Sequence, residues 1–189
     1  MARSRGRGRT REAVFAALRE LLLENPWAEV TLEAVAKKAG VSRQTLYNDF
    51  GSRRGLAEAY TFAMAEAYCD AVDDLLAAEP EPLAALEAAM QLFLTGAAED
   101  PLIRRVQSGE AHHDLVRIVT ADSGPLLDRI AERLAAGLAG RWPTVDAATV
   151  EAAATLMARL ALGLVTMPPP AGDELAKRMA LLVAPAFGA

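Results

Sequence analysis

Residues 31–56, TLEAVAKKAGVSRQTLYNDFGSRRGL, decide the fold, because they read as two short helices joined by a tight turn, the second of them polar. Leu32, Val35, Ala36 and Ala39 recur at i, i+3, i+4 and i+7, which gives a helix one apolar face. Thr31 is placed to cap that helix, and Glu33 puts a carboxylate in its first turn, where the helix dipole favours it. Gly40 supplies the left-handed residue that ends it. Ser42 caps a second helix over 43–49, whose inward side is Leu46, with Phe50 just beyond. Arg43, Gln44, Thr45, Tyr47 and Asn48 cover its other side with hydrogen-bonding groups. Apolar anchors behind and donors and acceptors in front are what a helix needs to enter a major groove.

Charge supports the same direction. The net charge of −5 argues against a nucleic-acid partner, but its distribution does not. Residues 1–54 hold eleven Lys/Arg against six Asp/Glu, and residues 55–189 hold nine against nineteen. A basic head on an acidic body fits a chain that touches DNA with one end.

On these residues the segment resembles the DNA-binding half of the TetR family of bacterial transcriptional regulators. The likeness runs over about residues 10–60 and rests on Ala36, Ala39-Gly40-Val41-Ser42, Tyr47, Phe50 and the Ser52-Arg53 pair; the chain departs from the family's usual Tyr or His at Asp49. The resemblance implies an all-α chain with an N-terminal three-helix helix-turn-helix head, residues 1–52, joined by a long helix 4 to a ligand-binding and dimerisation body, residues 53–189. It also implies a homodimer on a double-stranded DNA operator, through a four-helix interface built from 125–139 and 145–167. The composition of 83–187 and the phrase LYNDFGSRRGLAEAY are similar to actinobacterial members that govern fatty-acid or alkane metabolism.

The rest of the chain reads as helices. Residues 1–9, MARSRGRGR, alternate Arg with small residues and are expected to form a disordered basic arm. A first helix over about 10–24 carries Val14, Phe15, Leu18, Leu21 and Leu22 inward and stops before Asn25-Pro26. Helix 4, about 53–78, starts at a Ser52 cap and repeats Leu56, Tyr60, Met64, Ala67, Ala71 and Leu75. Beyond Pro80 and Pro82, turn residues separate helices over 83–98, 101–108, 111–121, 125–139, 145–167 and 173–187, with Asp100 capping and Pro101 at the first position of the second of these. Small residues crowd 145–167, among them Ala152, Ala154, Ala158, Ala161 and Gly163, so another helix can approach closely there.

Little points to catalysis. His112 and His113 are adjacent, so they face different sides of a helix, and no Cys or third His completes a metal set. No phosphate-binding GxxxxGK[ST] loop or GxSxG elbow is present. The expectation is a non-enzyme without cofactor or metal. The single Cys69 excludes an internal disulfide framework and fits a buried core position. No signal-peptide core follows the basic start, and the apolar run 152–167 is broken by Arg159 and short for a membrane span, which leads to a cytoplasmic assignment with no membrane partner.

The reading is therefore a DNA-binding regulator, a repressor released by a small apolar effector such as a fatty acid or its coenzyme A ester. The alternative is a DNA-binding regulator or architectural protein without a small-molecule ligand. Gln44 and Thr45 are assigned to base edges, Arg43 and Asn48 to bases or backbone, and Thr31, Tyr47, Arg53 and Arg54 to phosphates, with Ser42 at the helix start. Met90, Phe93, Leu94, Leu102, Val106, Leu115, Ile118, Val119, Leu126 and Met157 are the pocket candidates, each of which also fits plain core packing. Arg104, Arg105 and Arg117 are the candidates for meeting an acyl head group.

Overall fold

The computed structural model describes residues 2–108, 113–169 and 174–188. Helices are the regular structure of these residues, with no strand among them. The head consists of α1 (Ala2–Glu24), a 3-10 turn (Trp27–Glu29), α2 (Leu32–Ala39) and α3 (Arg43–Phe50). The long α4 (Arg53–Ala78) leads into α5 (Pro82–Glu99), α6 (Pro101–Gln107), α7 (His113–Ile118), α8 (Gly124–Arg141), α9 (Ala147–Thr166) and α10 (Leu175–Val183), and a 3-10 turn (Ala184–Phe187) closes the chain.

The helix starts follow local chemistry. The side chains of Thr31, Ser42 and Ser52 each accept the backbone N–H three residues on, from Ala34, Thr45 and Gly55. Asp100 accepts from both Leu102 and Ile103 at the start of α6. Gly40 ends α2 at φ 68°, where a side chain would be strained. Gly55 has a different reason: a Cβ there would collide with the carbonyl oxygen of Phe50, so glycine lets α4 start tight against the end of α3.

One expectation is corrected. Residues 2–9 do not form an irregular arm, because α1 takes them in from Ala2. No proline separates them from the packed turns at Val14, Leu18 and Leu22, so a helix nucleated there can propagate back through them against the two glycines, at about 1 kcal/mol each. His112 lies outside the described residues, while His113 is exposed.

Two apolar clusters make the core. One starts with Val14, Leu18, Trp27, Val35 and Leu46 in the head and continues through Leu56, Ala57 and Tyr60 of α4 into Leu102, Leu115, Ile118 and Val165. Packing thus runs across residue 52 without a break. The other joins Cys69, Val72 and Leu76 to α5, α8, α9 and α10, and ends on the Trp142 and Phe187 rings, 4.9 Å apart. Burial pushes the Cys69 thiol up to about 11, as fits a core cysteine. Arg133 stitches α8 to α4 through Glu66, Asp70 and Asp73 at 2.7, 2.6 and 3.1 Å. The Glu66 carboxyl is held below its usual range by Arg129 first and Arg133 second.

α9 is long and apolar enough, by composition alone, to cross a bilayer. Here it buries Val150, Ala153, Ala154, Met157, Ala158 and Val165 within the bundle.

Candidate nucleic-acid interface and body cavity

Leu46 is fully buried and pins α3 to the head, so the polar side faces out. Ser42, Arg43, Gln44, Tyr47 and Asn48 are exposed, Thr45 is half-buried, and Thr31 is exposed at the start of α2. These side chains are ordered among themselves. Gln44 Nε2 donates to Asn48 Oδ1 at 2.8 Å, and the Thr45 and Ser42 hydroxyls share a 2.8 Å hydrogen bond. The Arg43 guanidinium lies 5.4 Å from the centre of the Tyr47 ring and reaches Glu33 at 3.8 Å. Tyr47 is 42% exposed, an amphipathic side chain able to lie against a sugar-phosphate edge. Asp49 is half-buried beside the row of exposed side chains.

The structure gives Arg53 and Arg54 partners inside the protein. One terminal nitrogen of Arg53 donates to the carbonyls of Trp27, Ala28 and Val30 at 3.1, 3.1 and 3.3 Å, and the guanidinium covers the Trp27 ring at 4.8 Å. Arg53 thus satisfies the carbonyls of the 3-10 turn and ties them to the start of α4. Arg54 donates to Glu58 at 2.8 Å and to Asp122 at 2.5 Å, and Asp122 also receives Arg117 at 2.8 Å. That chain of charges joins the first turn of α4 to the segment between α7 and α8. A second tie comes from Arg105 in α6, which donates to the carbonyls of Leu22 and Asn25 at the end of α1, at 3.2 and 3.1 Å.

A cavity of about 280 Å³ opens between the two clusters. Of the pocket candidates, Phe93, Leu102, Val106, Leu115, Ile118, Val119 and Leu126 line it. Met90, Leu94 and Met157 do not. They bound a separate void of about 10 Å³, which Met179 also lines. The edge-to-face pair Tyr68 and Phe93, with centroids 5.5 Å apart, borders both spaces. An apolar space that small is at the lower limit for a single water.

Sequence reasoning misses much of the remaining wall. Met64 and Tyr68 of α4, Ile130 of α8, and Leu162 and Val165 of α9 line the cavity, and so does Arg19 of α1. The helical repeat at Met64 marks an inward face but cannot distinguish core from cavity. Nothing local marks Arg19. Arg104, Arg105 and Arg117 are not in the wall.

A polar recognition helix on a basic head, packed through one core onto a helical body with an apolar cavity, defines a helix-turn-helix transcriptional regulator. Residues 14–60 match the model described as bacterial regulatory proteins, tetR family, and residues 81–185 match that of the bacterial tetracyclin repressor C-terminal domain. The chain belongs to the TetR family of bacterial transcriptional regulators. It is 37% identical over 178 residues to the HTH-type transcriptional regulator AlkX of Mycobacterium tuberculosis, covering 93% of this chain and 83% of that protein. Among solved structures it is similar to the TetR family repressor AlkX from Dietzia sp. strain DQ12-45-1b, implicated in biodegradation of n-alkanes, with a TM-score of 0.83 and 36% identity over 94% of each chain. A shorter likeness, 31% identity over 102 residues, relates it to the nucleoid occlusion factor SlmA of Vibrio cholerae, spanning 53% of this chain and 52% of that protein.

Proposed function

We propose that the protein is a homodimeric repressor, acting in the cytoplasm, that leaves its operator when an elongated apolar effector enters the body cavity. The observation that carries this reading is the shared core: Leu102, Leu115 and Ile118 line the cavity and belong to the same cluster as Leu46, which seats the recognition helix. A molecule that spreads α6 and α7 therefore strains the packing that orients the head. The connection of the Dietzia relative with n-alkanes agrees with a hydrocarbon-chain ligand.

On DNA, Gln44 and Thr45 read base edges, and Arg43 and Asn48 add base or backbone contacts. Thr31 and Tyr47 bind phosphates. Arg53 and Arg54 act chiefly by fixing the start of α4 beside α3. One head covers one half-site, so a two-fold operator requires two chains. The outward faces of α8 and α9, with Ala136, Ala139, Ala152, Leu156, Leu160 and Gly163 exposed, supply the dimer surface.

The test is a gel-shift titration on DNA upstream of the protein's own and neighbouring genes. The Gln44→Ala variant should lose about 1–3 kcal/mol of discrimination at one or two base pairs. Adding straight-chain apolar compounds of graded length should release the wild-type complex, with a coupling of about 1–3 kcal/mol that works equally in both directions. Release at no length, with no rise in the melting temperature of the free protein, would remove the effector and leave a DNA-binding regulator without one.

A further inference from the structure

We propose that the effector carries a single carboxylate and that Arg19, on the DNA-binding head, is its partner. This rests on the reading that the cavity holds an effector, and it adds which end of the molecule goes where. Arg19 is the contribution of α1 to the cavity wall. Its side chain is 51% exposed, and its ion partner Asp100 stands 3.6 Å away, beyond a good hydrogen bond.

Asp100 pairs with Arg19 but also has other partners. It is 3% exposed; its Oδ1 accepts the N–H groups of Leu102 and Ile103, and its Oδ2 accepts the Tyr60 hydroxyl at 2.6 Å. The other hydroxyls in the wall are also spent as donors, Thr61 on the carbonyl of Ala57 and Tyr68 on that of Ala89. The guanidinium of Arg19 also acts on the Tyr60 hydroxyl, and it brings further N–H groups to this wall. It has five N–H groups in a flat fork, so one edge can stay towards Asp100 while the other takes a carboxylate in two parallel hydrogen bonds.

The ligand class follows from that geometry. A pure hydrocarbon gains nothing from Arg19, an alcohol gains one neutral acceptor, and a carboxylate gains two charge-assisted bonds. A coenzyme A thioester offers only a neutral carbonyl. Its nucleotide is far larger than a cavity of about 280 Å³ and would have to lie outside the wall that Arg19 completes. The free acid of a medium-length chain fits, with its tail among Phe93, Leu115 and Ile118. Such a ligand touches the head and the body at once, because its anchor is on α1 and its tail on α5 and α7.

Calorimetric titration of the full-length protein with decanoate, decanol and decanoyl coenzyme A tests this, with wild type and with Arg19→Gln and Arg19→Lys. Decanoate should bind wild type about tenfold or more tighter than decanol or the thioester. Arg19→Gln should remove that preference by weakening decanoate alone, and Arg19→Lys should restore part of it. Equal binding of acid and alcohol to wild type, or a preference that survives Arg19→Gln, overturns the carboxylate assignment while the cavity reading stands. Binding of none of the three overturns both.

Discussion

Arg53 shows how one side chain can be given one role by its place in sequence and another by its contacts. Its place after a Ser cap and beside the recognition helix suggests a phosphate ligand, yet its guanidinium closes three carbonyls from residues 27–30. Arg53→Ala should therefore lower the unfolding free energy by about 1.5–3 kcal/mol in urea titration, the range for hydrogen bonds to a charged group. If operator affinity fell while the urea midpoint stayed fixed, the phosphate role would be the correct one. The contrast with the caps is physical. Thr31, Ser42, Ser52 and Asp100 act on N–H groups two or three residues away, so their spacing in sequence is the interaction itself. Arg53 acts on carbonyls more than twenty residues back, and Arg19 on a wall built from other helices. No periodicity encodes either. The hydroxyl and amide pairing of α3 is again local, and its exposure follows from the burial of Leu46 alone.

At the scale of elements, helix positions are legible because each has a cap or breaker, but the neighbours of a face are not. The small residues of α9 illustrate this. Ala154 is fully buried and Ala161 lines the cavity, so neither belongs to an outward surface, although the run of alanines treats them alike. Likewise Met90, Leu94 and Met157 sit one layer beyond the cavity, behind Tyr68 and Phe93. Phe93→Ala should join the two spaces and lengthen the preferred straight-chain ligand by several carbons, measurable as a shift in the optimum of a binding series. An unchanged optimum would show that Tyr68 alone closes the cavity. The bridge from α4 to the α7–α8 segment responds to acid. Arg117 first, and Arg54 second, hold the Asp122 carboxyl below its usual range. The bridge's contribution is then complete above the unfolded value near pH 3.9 and is lost as the pH falls through the lower folded value. An NMR titration should place the Asp122 midpoint below about 3.9, and Asp122→Asn at neutral pH should reduce amide-exchange protection in the first turn of α4. A midpoint at the usual value would mean that the bridge is not held in solution.

For the whole molecule, the proposed dimer places its weight on the exposed side of α9, where Leu156 and Leu160 are 48% and 36% accessible. Leu160→Glu should give a monomer by light scattering, keep its helical circular dichroism, and lose tight operator binding. Ala154→Glu should instead unfold the chain, since its site is inside the bundle. A monomeric wild type at micromolar concentration would end the dimer proposal. The all-helical architecture is legible from composition and punctuation. What the chain's pattern does not reveal is that the first core ignores the junction at residue 52, because shared packing is a property of three-dimensional neighbours and not of segments. That continuity bears on the design of hybrid regulators. Someone wishing to give this body a different operator would naturally transplant residues 1–52, but the transplant would arrive with a cut surface shaped for Leu56, Tyr60, Leu102, Leu115 and Ile118. Arg19 would leave with it, and Arg105 would face new carbonyls. The unit that can be exchanged intact is smaller, the outward residues of α3 alone; changing them rewrites the address while the response stays with its original wiring.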